Sequence, residues 1–169
     1  GTRQGRSHVM WSDDRGRTWT LGGTISGGTN ECQVVERADG SLLMNLRNYR
    51  AAFRERAIAT SNDGGATWSA LSHDAALVEP VCQASVLRMP GEPGRILFSN
   101  PADRKSRVRM TVRMSRDEGA SWTTLKEFGD GPAAYSCLAV LADRSVGCLY
   151  ETGVKSPYER IVLARLRAD

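Results

Sequence analysis

Two carboxylates, a guanidinium and a phenol stand at matched places in this sequence, and a second guanidinium lies between them. Glu31 opens the segment ECQVVERADGSLLMNLR and Arg47 closes it, 16 residues later. Tyr135 and Glu151 hold the same places in YSCLAVLADRSVGCLYE, again 16 residues apart. In the first segment alternating apolar stretches flank the turn Ala38-Asp39-Gly40-Ser41, which predicts a β-hairpin with its charges at the open end. The second segment repeats that geometry. Arg107 follows the intervening loop SNPADRKS and could face the same mouth. A guanidinium fork binds planar acceptors bidentately, so such a set suits a carboxylate or phosphate ligand. Each residue also has a plainer reading. Exposed ion pairs are worth under about 1 kcal/mol, and a strand-end tyrosine commonly packs in a core with its hydroxyl satisfied.

The elements that must carry these residues are announced by a repeat. SDDRGRTW at 12–19, SNDGGATW at 61–68 and SRDEGASW at 115–122 share the form Ser-x-Asp-x-Gly-x-Thr/Ser-Trp, spaced 49 and 54 residues apart. The Asp can accept backbone N–H bonds and shape a tight turn, the Gly permits a positive φ, and the Trp supplies a large apolar anchor. A β-type run precedes each box: HVMW, ERAIAT and RMTVRM. Hairpins at 32–49 and 82–99 lie ahead of the second and third boxes. The predicted unit is therefore hairpin, third strand, box turn, fourth strand. A period of roughly 50 residues built from four short strands is the signature of a β-propeller blade. A sandwich of unrelated strands leaves three identically placed turns unexplained.

The expected fold class is all-β, a β-propeller of which this chain carries about three blades within one partial domain, 1–169. Its phase places Gly1 at the end of one blade and RIVLARLRAD inside another, and N-terminal blades are expected to be missing. Seventeen Gly, 40% hydrophobic and 25% charged residues fit a turn-rich globular β domain. No basic run is interleaved with aromatics, so a nucleic-acid partner is not expected despite the net charge of +4. No stretch approaches the roughly 18 apolar residues of a membrane span. Cys32, Cys82, Cys137 and Cys148 form no CxxC pair, and with two His a zinc site is not expected. Three of the four begin similar strands, which predicts small buried residues, with disulfides possible but not indicated.

NECQVVE, NLRNY, the SNPAD segment with its later Arg, AYSCL and LYE, set among three Asp boxes, resemble the C-terminal half of an exo-α-sialidase (neuraminidase). The similarity runs along essentially the whole chain. The resemblance implies a six-bladed parent propeller that removes terminal α-linked sialic acids from glycoproteins, glycolipids and oligosaccharides, with retention and without a cofactor or metal. It implies Tyr135 as nucleophile and Glu31 as the carboxylate acting as its base. Arg47 and Arg107 would be two members of the arginine triad that grips the sialic acid carboxylate, and Glu151 the residue that orients the remaining arginine. No motif here matches that remaining arginine or the family's general-acid Asp, so the segment alone is expected to be inactive or nearly so. The compartment stays open among secreted, lysosomal and cytosolic. A non-catalytic Asp-box propeller that binds glycans or proteins is the competing class. A glycosidase using Glu31 and Glu151 as a carboxylate pair is a third, which leaves the arginines without a purpose.

Overall fold

The computed structural model describes residues 5–50 and 52–167. Gly1 and the last two residues of RIVLARLRAD lie outside them. Among the described residues there are only strands, and these fall into four sheets that follow one another along the chain. The first sheet pairs β1 (Arg6–Trp11) with β2 (Thr20–Ser26). The second runs β3 (Thr29–Glu36), β4 (Leu42–Asn48), β5 (Glu55–Ser61) and β6 (Ser72–Val78) in chain order. The third repeats that order with β7 (Ser85–Arg88), β8 (Ile96–Pro101), β9 (Met110–Ser115) and β10 (Thr123–Glu127). The fourth joins β11 (Ala133–Val140), β12 (Val146–Thr152) and β13 (Arg160–Leu166). Every neighbouring pair is antiparallel, as sequential hairpins require.

The sheets pack against one another rather than standing in water. Met89, Leu97, Val112 and Met114 of the third sheet region meet Leu138, Val146 and Cys148 of the fourth. Met44, Leu46, Ala57 and Ala59 of the second meet Ile25 of the first. Every residue of β8 and β9 is buried, because both faces of the third sheet are covered. The leading strands β3, β7 and β11 lie in succession, β3 against β7 and β7 against β11. Their open ends therefore converge on one side of the molecule.

Each box forms the same closed turn between a third and a fourth strand. Asp63 Oδ1 accepts the Thr67 N–H at 2.9 Å, and the Ser61 hydroxyl accepts the Gly65 N–H at 2.9 Å. Asp14 with Thr18 and Asp117 with Ser121 repeat the first bond, both at 2.8 Å. The Gly residues adopt φ of 87°, 91° and 86°, the left-handed region that glycine enters without strain. The three tryptophans do not share one fate. Trp68 packs with Ile25 of β2, and Trp122 donates to Asp74 of β6 at 2.9 Å, so each leans on the sheet preceding its own. Trp19 belongs to the first described sheet and is 58% exposed, so it does not serve as a core anchor here.

The hairpin turns match expectation. Asp39 Oδ1 accepts both the Ser41 N–H and its hydroxyl, at 2.9 and 2.6 Å, and Asp143 with Ser145 repeats the arrangement in the fourth sheet. The cysteines match it only in part. All four thiols are free; Cys82 and Cys148 are buried, Cys32 is half-buried and Cys137 is exposed. The position of Cys137 follows from its pairing with Leu149 on the uncovered face of the fourth sheet, where Leu149, Ile161 and Leu163 are also exposed. Cys82 lies ahead of its strand rather than in it, since Val81 has φ of 57° and β7 begins only at Ser85.

Candidate active site

The first hairpin supplies a carboxylate and a guanidinium to one spot. A register shift between Thr29 and Cys32 frees Glu31 from the regular ladder, and Arg47 lies near the end of β4 opposite it. Such a bulge re-aims a side chain at a strand end. Arg47 Nη1 donates to Glu31 Oε2 at 2.6 Å. The opposite charges across the hairpin do therefore meet.

The fourth sheet brings the phenol to the same carboxylate. β11 carries an equivalent irregularity between Ala133 and Ser136, and Tyr135 lies within it. The Tyr135 hydroxyl donates to Glu31 Oε1 at 2.7 Å, and Arg47 Nη1 donates to that hydroxyl oxygen at 3.1 Å. Glu31, Arg47 and Tyr135 thus form a closed triangle across 104 residues of chain. Arg107 completes the group. Its Cζ lies 5.9 Å from the centre of the Tyr135 ring, within the range of a cation–π contact. Its Nη1 donates to the Tyr158 hydroxyl at 2.6 Å and its Nη2 to the Val81 carbonyl at 3.2 Å. Glu151 accepts the Tyr135 backbone N–H at 3.0 Å, pinning the strand end that bears the phenol. All five residues singled out from the sequence, four by spacing and Arg107 by its place after the SNPADRKS loop, therefore gather together.

The electrostatics follow from these contacts. Burial works against ionisation of Glu31, but hydrogen bonds from Arg47 and Tyr135 and the charges of Arg47 and Arg107 prevail, holding its carboxyl below the usual range. The bond to Glu31, reinforced by burial, pushes the Tyr135 phenol above its ordinary value of 10, against the opposing pull of Arg47. The resting pair is an ionised carboxylate beside a neutral phenol. That pairing can deliver the phenol oxygen as a nucleophile while the carboxylate takes its proton. The adjacent guanidinia can hold an anion.

Comparison with known proteins identifies the family of the chain. Residues 1–149 match the BNR repeat-like domain family. A sialidase of Micromonospora viridifaciens is 38% identical over 93% of this chain and 25% of its own length. A sialidase of Bacteroides fragilis is 33% identical over 90% of this chain and 29% of its own length. The chain belongs to the BNR-repeat sialidase family. A solved structure, the Hadza microbial sialidase Hz136, superposes with a TM-score of 0.77 at 34% identity, covering 94% of this chain and 31% of that one. The arrangement of sheets is accordingly the β-propeller-like one of these sialidases. This chain spans only about a quarter to a third of the length of these relatives.

Several residues around this site were not singled out from the sequence. Tyr49 places its ring 4.8 Å from Arg47 Cζ, and Tyr158 occupies one arm of Arg107. Behind the rim lies a fully buried ion pair, in which Arg56 Nη1 donates to Glu79 Oε2 at 2.5 Å with both side chains 1% exposed. Gln83 Nε2 donates to the Ser136 carbonyl at 3.0 Å while its Oε1 accepts the Ser136 N–H at 2.9 Å. Gln33 reaches across in the same sense, accepting the Val86 N–H at 2.7 Å. The signal for both glutamines was present, as the dipeptide Cys-Gln at 32–33 and again at 82–83.

Proposed function

We propose that this chain carries part of the active site of a retaining exo-α-sialidase that releases terminal α-linked sialic acids from glycoconjugates. The observation that carries the reading is the triangle of Tyr135, Glu31 and Arg47. The chain would form about three blades of a six-bladed ring. The anomeric carbon of a sialoside bears a carboxylate, so a carboxylate nucleophile meets like-charge repulsion and a neutral phenol does not; sialidases accordingly use tyrosine.

Arg47 and Arg107 bind the substrate carboxylate. The Tyr135 oxygen attacks the anomeric carbon, its proton passes to Glu31, and the bond from that carbon to the aglycone oxygen breaks. The leaving oxygen takes a proton from the general acid. Water then attacks the anomeric carbon of the tyrosyl intermediate and gives its proton to the deprotonated general acid. The bond to the Tyr135 oxygen breaks, and that oxygen recovers its proton from Glu31 as the sugar is released with configuration retained. The guanidinia favour the charge separation at the oxocarbenium-like transition state. Glu151 orients the third arginine. That arginine and the general-acid Asp are not matched by any motif in these 169 residues, so the segment alone is inactive or nearly so.

The test compares this segment and the longer natural chain that contains it on a fluorogenic sialoside, with Tyr135→Phe in each. Turnover by the longer chain alone, lost in Tyr135→Phe, is expected. Full turnover by the isolated segment overturns the claim of missing parts, and survival of turnover in Tyr135→Phe overturns the tyrosine mechanism. Were Tyr135→Phe as active as the parent, the two-carboxylate glycosidase would replace it; were the longer chain itself without turnover, the non-catalytic binding module would.

A further inference from the structure

Between β6 and β7 runs a five-residue segment, Glu79 to Gln83, that touches three parts of the site at once. Glu79 is buried, and its Oε1 accepts the backbone N–H of Asn48, the residue after Arg47, at 2.6 Å. Its Oε2 takes Arg56 Nη1, which also donates to the Cys82 carbonyl at 2.7 Å. One guanidinium nitrogen thus cinches both ends of the segment. Arg56 is held in turn by Asn45, whose Oδ1 accepts Nε at 2.6 Å.

The middle of the segment is shaped by this constraint. Val81 has φ of 57°, a left-handed conformation that is an outlier for a β-branched residue and persists only when the surroundings impose it. The consequence is chemical: the Val81 carbonyl accepts Arg107 Nη2 at 3.2 Å. At the far end, Gln83 engages both backbone groups of Ser136, the residue after Tyr135. The Ser136 side is itself buried, at 4% exposure.

We propose that Glu79–Gln83 is a positioning segment of the sialidase site, setting the spacing among Arg47, Arg107 and Tyr135. This rests on the function proposed above. Glu79 fixes the backbone beside Arg47, the strained Val81 carbonyl aims Arg107, and Gln83 holds the strand end that presents the phenol. None of the three touches the reacting atoms. A misplacement of about 1 Å at a reacting centre can lower the rate by about a hundredfold. Gln33 supplies the contrast, since its Oε1 accepts the Val86 N–H and the Ser85 hydroxyl without a site residue beside them.

The experiment uses the longer natural chain with a fluorogenic sialoside, and calorimetric binding of free sialic acid. Gln83→Ala is expected to lower kcat by about 10- to 100-fold while binding of sialic acid shifts by less than about threefold. Val81→Gly, which enters the same conformation without strain, is expected to keep KM near that of the parent. Val81→Pro cannot adopt a positive φ and is expected to raise KM by about tenfold. Gln83→Glu keeps the acceptor for the Ser136 N–H but as a carboxylate cannot donate to the Ser136 carbonyl. Its deficit relative to the parent should therefore shrink as pH falls and the carboxyl regains a proton. Unchanged kcat in Gln83→Ala with Tyr135→Phe inactive overturns the positioning role alone. Turnover surviving in Tyr135→Phe overturns the underlying function instead. Should Gln83→Ala fail to fold, the ratio for Gln83→Glu decides, and a ratio constant with pH overturns the proposal.

Discussion

The Tyr135 hydroxyl and the Glu31 carboxylate, 104 residues apart in the chain, share a hydrogen bond of 2.7 Å. Two separate sheets, each with an irregularity at the end of its leading strand, are required to bring them together. A purely structural bond would be served by any polar pair. This pair has shifted in opposite directions, the carboxyl downward and the phenol upward.

The downward shift at Glu31 makes a statement about pH. A depressed carboxyl stays ionised above its own value, so proton acceptance is retained as pH falls below 4.5, the ordinary glutamate value. In the longer chain proposed above, the acid limb of kcat/KM should lie below that value, since this quantity reports the free enzyme. Arg47→Met removes the opposing guanidinium and leaves burial less opposed, so its acid limb should move upward. A pH–rate profile that is unmoved by Arg47→Met would contradict the assignment of Glu31 as base.

The Arg56–Glu79 pair makes a prediction about stability. Arg56→Met leaves Glu79 buried and without its cation. Removal of one partner of a buried pair destabilises by roughly 3–5 kcal/mol. Urea unfolding of Arg56→Met against the parent measures this, and a loss under about 1 kcal/mol would mean that the two charges are not buried together.

Tyr158 donates no bond to Arg107 but accepts one, at 2.6 Å. Tyr158→Phe removes that acceptor and loosens one arm of the guanidinium. KM for a sialoside should rise roughly three- to tenfold, the worth of one hydrogen bond, with kcat within about twofold. A fall in KM would show that the hydroxyl competes with the substrate for Arg107.

The box turns predict an acid response of their own. The carboxyls of Asp14 and Asp63 are lowered from 3.8 to about 2, chiefly by the bonds they accept from Thr18 and Thr67. A depressed carboxyl contributes stability that is present above its unfolded value and lost as pH falls through the folded one. The loss should therefore fall between about pH 4 and about pH 2. Asp63→Asn should be less stable at pH 7 and lose less between pH 4 and pH 2, read as urea midpoints. An identical acid slope in both proteins would remove the box from the account.

The legible parts of this molecule were local. The boxes, the Asp39 and Asp143 turns and the two 16-residue rims each lie within one hairpin or one turn, so spacing alone located them. Illegible parts depend on which sheet meets which. Trp19 has the same motif as Trp68 and Trp122 but no described sheet before it, and nothing within its box records that. Arg56 sits on β5 and Glu79 just beyond the end of β6, 23 residues apart, without a periodic mark. Cys137 follows a strand pattern like that of Cys82, yet faces the uncovered side of the fourth sheet.

Gln83 grips Ser136 only through backbone groups, and Gln33 likewise receives the Val86 N–H. Backbone is common to all residues, so the Gln83 clamp does not inspect the side chain of the residue it holds, while Gln33 adds only the Ser85 hydroxyl, at 3.2 Å. The leading strands can therefore exchange their rim residues by mutation while neighbouring sheets keep their alignment. Drift in catalytic equipment and inheritance of the frame are separable, which gives such a scaffold room to diversify.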